Sequence, residues 1–409
     1  MKTKAPELQI SEKVKGIPEA LSIYINQLVY NQKRKGKDIV VLSLGEAFFD
    51  IPMFDFSKLD FVKGYHYSDS QGIPELREKI AHFYGKQYGA PVNPKDEILV
   101  TAGSKPVIYF AMQAILNPGD EVLIHEPGWL SYQEQIRITG AQPAFIPYNV
   151  PVKEFSQYFT DKTRMLIICN PNNPAGRTYT LDELKLLYEQ CRSQGIYILI
   201  DEAYSDFILA DEFHSMAKIV PDKDGIIVVN SLSKNMGMSG WRVGYVITTK
   251  ELIKNILKLN QHILTCAPTI LQYYMARYFD DVMAITLPQA KDIVAKRQRV
   301  AKLMKDIGLK TMGGSSTFYF LVNIEDFPGS SLEFALYMLL FNQVAVVPGS
   351  AYGKSCSRFV RVGIGTESEE RISDALFLLR DLIRVKSFDP LPVISRLEKE
   401  GFHTFEEVV

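Results

Sequence analysis

Ser231-Leu232-Ser233-Lys234-Asn235-Met236-Gly237-Met238-Ser239-Gly240-Trp241-Arg242-Val243-Gly244-Tyr245 is the stretch from which the fold of this chain is read. It follows Gly225 to Asn230, a short β-branched run that reads as a buried strand opening into a loop. Such a loop starts where α/β sheets present their ligands. Its glycines let the backbone bend closely around an anion, and its serines supply hydroxyls. Lys234 is the group there able to act as a nucleophile. A neutral lysine amine condenses with carbonyls to a Schiff base, and the nearby guanidinium of Arg242 favours the neutral form. The plain alternative is a pair of solvated surface charges. The small hydroxylic residues before the lysine, and Trp241 beside the arginine, weigh against it.

The 409 residues are 46% hydrophobic, which is enough for more than one core, so two domains are expected. A formal net charge of -1 argues against nucleic acid or an anionic membrane as the main partner. No apolar run reaches the roughly 18 residues of a membrane span, and the nearest, Phe334 to Phe341, stops at Asn342 and Gln343. Met1 to Ile10 carries lysines without a following apolar core, so no secretory leader is expected. Cys169, Cys191, Cys266 and Cys356 lack CxxC spacing, and with 6 His no metal cluster is read. A reducing cytosol is the expected compartment.

Taken in order, residues 11–36 carry a helical pattern, and Ile39 to Leu44 reads as a strand ending in Gly45-Glu46. A turn-rich aromatic segment, Gly64 to Gly72, then leads through Pro74 into a helix. Four further strands are read at Glu97 to Thr101, Glu121 to His125, Met165 to Cys169 and Ile196 to Ile200. Polar or aromatic residues follow each: Ser104 as a helix N-cap, Trp129, Asn173 and Asp201. Gly103-Ser104-Lys105 forms a strand-to-helix turn that aims backbone N–H groups at one spot, which suits a phosphate. Asp201, directly after an apolar strand, needs a cationic partner if buried.

This alternation predicts an α/β protein whose large domain is a mostly parallel sheet covered by helices on both faces, with a smaller α+β domain after it. The expected organisation is an N-terminal segment (1–45) contributing to the small domain, a large domain (46–288) and a small C-terminal domain (289–409). A long charged helix, Ala290 to Ile307, is the expected connector.

Gly349-Ser350-Ala351-Tyr352-Gly353-Lys354-Ser355 has the look of a nucleotide-binding P-loop, but Pro348 occupies the place of its first glycine. No strand runs into GxGxxG either, which removes a dinucleotide oxidoreductase. A lysine for an aldehyde, an aspartate for a pyridinium nitrogen, an aromatic for a ring and an anion nest for a phosphate together suit pyridoxal 5'-phosphate. Asp201 would hold the proton on the ring nitrogen. Lys234, once released from the aldehyde, would serve as general base and acid.

These motifs resemble those of the class I/II aminotransferases, the fold type I pyridoxal phosphate enzymes. The resemblance runs from Gly45-Glu46 through Gly72 to Arg77, Asn173-Pro174-Ala175-Gly176, Asp201-Glu202-Ala203-Tyr204, Ser231 to Lys234 and Gly240 to Gly244, ending at Val360-Arg361-Val362. It implies that Lys234 is the Schiff-base lysine and Asp201 the ring-nitrogen partner. Tyr204 and Asn173 bond the ring hydroxyl oxygen, and Trp129 stacks on the ring. Gly103, Ser104, Lys105, Ser231 and Arg242 surround the phosphate, with Tyr67 reaching it from the second subunit of a homodimer. Arg361 clamps the substrate α-carboxylate, Gly45 sits at the pocket entrance, and Asn173 and Trp129 also face the substrate.

The activity implied is a two-step exchange of an amino group between an L-amino acid and a 2-oxo acid. The alternatives on the same scaffold are a carbon–sulfur lyase, a decarboxylase or an oxidase. A regulator that binds both the cofactor and DNA would need a basic domain before the fold, for which residues 1–36 are too short.

Overall fold

Apolar residues fill the central strands without a break, yet successive side chains leave on opposite faces and so feed two separate cores. In the computed structural model, which describes residues 8–209 and 213–402, Ile198 and Ile200 point into one core and Leu199 into the other. Ile226 and Val228 are divided from Ile227 and Val229 in the same way. Helices Ser104–Ile115 and Lys250–Ile263 cover one face through Ile108, Met112, Ile253 and Ile256. Helices Pro74–Phe83 and Leu181–Ser193, with the first half of Thr269–Asp306, cover the other through Leu76, Ile80, Leu184 and Tyr274. Residues 1–7, the greater part of the stretch weighed as a leader, lie outside the described residues.

The sheet has seven strands in the order Ile98–Thr101, Gly244–Ile247, Ile226–Ser231, Tyr197–Asp201, Thr163–Cys169, Glu121–His125, Gln142–Ile146. All pairings are parallel except those of Gly244–Ile247, which runs antiparallel to both neighbours. This is the expected mostly parallel sheet covered on both faces. A separate antiparallel sheet joins Val347–Pro348, Phe359–Gly363 and Tyr319–Asn323, and Val40–Val41 pairs in parallel with Val344–Ala345. Its core takes in Leu28 and Val29 from near the N-terminus with Phe334, Leu339, Val360 and Leu376.

Three local expectations are corrected. The helix read over 11–36 is two, Glu12–Lys15 and Leu21–Arg34, because Gly16 and Pro18 interrupt it. The strand read over 39–44 pairs only at Val40–Val41. Ser104 is not an N-cap: Gly103 occupies that place with φ of 88°, and Ser104 is the first helical residue. The P-loop lookalike is a pair of short 3-10 turns, Gly349–Tyr352 and Lys354–Cys356. There the buried Glu126 carboxylate accepts from the N–H of Lys354 at 2.8 Å and of Ser355 at 3.2 Å. The position of Gly353 is dictated by this contact, since a Cβ there would lie 2.2 Å from Glu126 Oε1.

Behind the strand that ends at Asp201, Glu202 is fully buried and accepts from the Met216 N–H (2.8 Å) and the Ser215 hydroxyl (2.9 Å). Burial raises its carboxyl from 4.5 to about 8, so the folded state keeps a proton that the unfolded chain has released. Stability from this group is present below pH about 4.5 and is lost as pH rises toward about 8. Glu202→Gln keeps the shape without the titration. The urea midpoint of the variant should therefore change less than the parent's between these two pH values, and equal slopes would assign the effect to another group.

Candidate active site

The polar residues at the strand ends converge on a cavity of about 360 Å³. Strand Tyr197–Asp201 delivers Asp201, with Ala203 and Tyr204 in the turn after it. The neighbouring strand Ile226–Ser231 runs directly into the short helix Leu232–Asn235, which carries Lys234. Trp129 arrives after the strand that ends at His125, and Asn173 after the strand that ends at Cys169. Arg361 crosses over from the antiparallel sheet, and Gly45 and Glu46 close the far wall.

Asp201 is 8% exposed. Its Oδ2 accepts from the Tyr132 hydroxyl at 2.8 Å and its Oδ1 from the Ala203 N–H at 3.1 Å. Burial still pushes its carboxyl up, more than these bonds and the Lys234 charge pull it down. Lys234 donates from Nζ to the Gly45 carbonyl. Burial lowers its amine to about 8, assisted by Arg361 and Arg242 and opposed by Glu46 and Asp201.

The opposite end of the cavity is shaped for an anion. Helix Ser104–Ile115 starts there, and the amides of its first turn have no carbonyl partner within the helix. Arg242, itself at φ of 55°, lies so close that a Cβ on Gly103 would be 2.4 Å from its NH2 nitrogen. A Cβ on Gly244 would be 2.3 Å from the Ser104 nitrogen. Lys105 Nζ sits 4.9 Å from the Trp129 ring centre, and burial, then Arg242, lowers its ammonium. Ser231 also lines the wall.

The residues present fit pyridoxal phosphate. Asp201 is a buried carboxylate to which, among the described residues, no cationic side chain is bonded, and a protonated ring nitrogen would supply the missing charge. Asn173 Oδ1 and Arg361 Nε are both buried without hydrogen-bond partners. The glycine-cleared corner beside Arg242 and the helix N-terminus suits a phosphate.

Of the residues expected from sequence, Lys234, Asp201, Tyr204, Asn173, Trp129, Ser104, Lys105, Ser231, Arg242, Arg361 and Gly45 line this one cavity, and Gly103 abuts Arg242. Tyr67 is 85% exposed and lies outside it. Sequence reading missed Tyr132, Tyr319, Tyr352 and Glu46. Tyr132 stands one helical turn after Trp129, and Glu46 follows Gly45, so spacing offered a signal for both. The two tyrosines around Arg361 come from distant strands and turns, and only the fold brings them together: the guanidinium lies 4.7 Å from the Tyr319 ring centre and 5.4 Å from that of Tyr352.

Residues 35–376 match the family model "Aminotransferase class I and II". The aspartate aminotransferase of Pyrococcus abyssi is 32% identical over 86% of this chain and 93% of its own length. The (5-formylfuran-3-yl)methyl phosphate transaminase of Methanocaldococcus jannaschii is 32% identical over 87% of this chain and 94% of its own. Among solved structures, aspartate aminotransferase from Thermus thermophilus with maleate superposes with a TM-score of 0.84 at 27% identity, covering 93% of this chain and all of the other. The chain belongs to the class I and II aminotransferases. It is a pyridoxal-phosphate-dependent aminotransferase of fold type I.

The lowered amine gives a direct test in protein freed of cofactor. Acetylation of Lys234 by acetic anhydride, followed by peptide mass spectrometry, should rise through a midpoint near pH 8. A midpoint for Lys234 at the ordinary value would contradict the burial that the structure gives it.

Proposed function

We propose that, in this aminotransferase, Lys234 is the catalytic residue and the cavity around it the site of amino-group exchange between an L-amino acid and a 2-oxo acid. The observation that carries this reading is a half-buried amine and a buried carboxylate at or just past the ends of adjacent parallel strands, Lys234 and Asp201, with Arg242 and Arg361 lining the same cavity. When bound, the cofactor draws electrons from the α-carbon of an amino acid and so acidifies its proton. Asp201 holds the ring nitrogen protonated, and Tyr132 and the Ala203 N–H keep its carboxylate in place. Tyr204 and Asn173 bond the ring hydroxyl oxygen, and Trp129 covers the ring. Gly103, Ser104, Lys105, Ser231 and Arg242 hold the phosphate. Arg361 takes the α-carboxylate beside Gly45, and Lys234 Nζ, held near neutrality by burial, moves the proton.

The organisation that goes with this reading is a large domain over 46–288 and a small one over 289–409 completed by 1–45. The cores support it: past Leu287 the long helix leaves one hydrophobic cluster, and from Ala290 it packs in another with Leu28 and Val29. The four cysteines are unpaired, in keeping with the reducing cytosol in which we locate the enzyme, and no helix among the described residues is long and apolar enough to cross a membrane.

Two measurements test the function together. Borohydride treatment of the purified yellow protein should fix the cofactor on Lys234, and mapping the adduct to any other lysine would overturn the assignment. Protein first converted with excess amino acid should then regain its visible absorption when 2-oxo acids are added. Release of ammonia without any need for an acceptor would assign a lyase instead.

We further propose a homodimer with shared sites, in which Tyr67 reaches the phosphate of the neighbouring subunit. Supporting it are the 85% exposure of Tyr67 and the exposed apolar residues Phe48, Met53, Val62 and Tyr65 before it. Tyr67→Glu should abolish cofactor binding by setting a carboxylate against the phosphate, and Lys234→Ala should be inactive. Refolding the two together gives heterodimers with one site that carries neither lesion, so activity should return. Proven heterodimers that stay inactive would reject the shared site.

A further inference from the structure

Arg361 lies in strand Phe359–Gly363, and Tyr319 in its antiparallel neighbour Tyr319–Asn323. Tyr319 is in register with Gly363, two residues from Arg361, so the two side chains leave the same face of the sheet as diagonal neighbours. Glycine at 363 leaves that face open: a Cβ there would lie 3.4 Å from Cδ1 of the Tyr319 ring and 2.9 Å from the Leu44 carbonyl oxygen. The guanidinium rests 4.7 Å from the Tyr319 ring centre and donates from NH2 to the Ser43 carbonyl at 2.6 Å. Its Nε has no partner. The Tyr319 and Tyr352 rings, at 4.7 and 5.4 Å, flank the guanidinium and hold the plane in which the fork faces the cavity, Tyr319 being the nearer.

The other end of Tyr319 reaches elsewhere. Its hydroxyl lies 2.9 Å from that of Tyr204, whose oxygen also accepts from Asn173 Nδ2 at 3.3 Å. Either hydroxyl can donate in this pair, and once Tyr204 turns its O–H toward a group bound in the cavity, the shared bond requires Tyr319 to donate. With its oxygen occupied from two sides, Tyr204 keeps its own O–H for whatever enters the cavity. A donor that is itself hydrogen-bonded at oxygen is a stronger donor.

We propose that Tyr319 is a positioning residue that serves both halves of the reaction: its ring orients Arg361 for the substrate carboxylate, and its hydroxyl polarises Tyr204 toward the cofactor. This rests on the assignment of Arg361 and Tyr204 made above. The two roles separate by substitution, because Tyr319→Phe removes the hydroxyl and keeps the ring, whereas Tyr319→Leu removes both.

The test uses the holoenzyme and two readouts: the midpoint of the pH-dependent change in the cofactor's visible absorption, and KM for the amino acid identified in turnover. A stronger donor on the ring oxygen favours the deprotonated chromophore. Tyr319→Phe should therefore raise the midpoint by about half a pH unit, the size expected for one modest hydrogen bond, with KM unchanged. Tyr319→Leu should raise the midpoint equally and raise KM about tenfold. In a Tyr204→Phe background, Tyr319→Phe should move the midpoint no further, because the effect passes through Tyr204. Additive shifts, or an unmoved midpoint in Tyr319→Phe, would overturn the hydroxyl role, and an unchanged KM in Tyr319→Leu would overturn the ring role. Arg361→Ala serves as the control: loss of substrate affinity with colour retained leaves the underlying assignment standing whatever the tyrosine variants do, whereas unchanged affinity would remove that assignment itself.

Discussion

Removing a carboxylate from water without giving it a cation is among the more costly things a fold can do, and the rest of this structure is arranged around that cost at Asp201. The strand that carries Asp201 has sheet neighbours on both sides, so the carboxylate cannot retreat to solvent. Tyr132 and the Ala203 N–H stabilise it in part. Burial still outweighs these bonds, and a protonated heterocycle set against the carboxylate would offset that cost. Lys234, on the short helix that follows the next strand, is held in the opposite condition, an amine that burial urges to give up its proton. The same desolvation thus sharpens both groups in opposite senses.

Most of this was legible because parallel sheets write their sites into short local patterns. An apolar run followed at once by Asp201, or by Ser231 through Lys234, places chemistry at a strand end whatever the later strands do. The sheet's two-faced alternation was equally readable, since it depends on neighbouring residues only. Local punctuation was less secure. The helix over 11–36 has an apolar stripe that continues across Gly16 and Pro18, and the stripe concealed the break. Ser104 looked like a cap because serine usually is one, but the close approach of Arg242 requires glycine at the cap and moves the serine one place into the helix.

The illegible part is what two distant segments make together. Tyr319 reads as one aromatic in the run Phe318-Tyr319-Phe320, and its partnership with Arg361 depends on a register between strands more than thirty residues apart in sequence. Glu126 follows directly on a strand end, and nothing nearby in the chain shows that its lone pairs are spent on the backbone of Lys354 and Ser355. Such residues share one property: their partners are distant in the chain, and only the fold brings them together. The cavity lies where the hydrophobic cores meet, with Tyr204, Cys169 and Phe207 packed in the cluster dominated by residues beyond 290 although they end or follow strands of the large sheet.

The order of strands has a consequence for the chain as it leaves the ribosome. Ile98–Thr101 forms its ladder only with Gly244–Ile247, and Val40–Val41 only with Val344–Ala345. At about 5 to 20 residues per second, the first of these strands waits roughly 7 to 30 seconds for its partner, and the second waits longer still. During that interval the apolar face of helix Leu21–Arg34, with Ile25, Leu28 and Val29, has no core to enter. The nascent polypeptide therefore presents an adhesive segment near its beginning until almost all of it has been synthesised, and holdase chaperones have most to offer there.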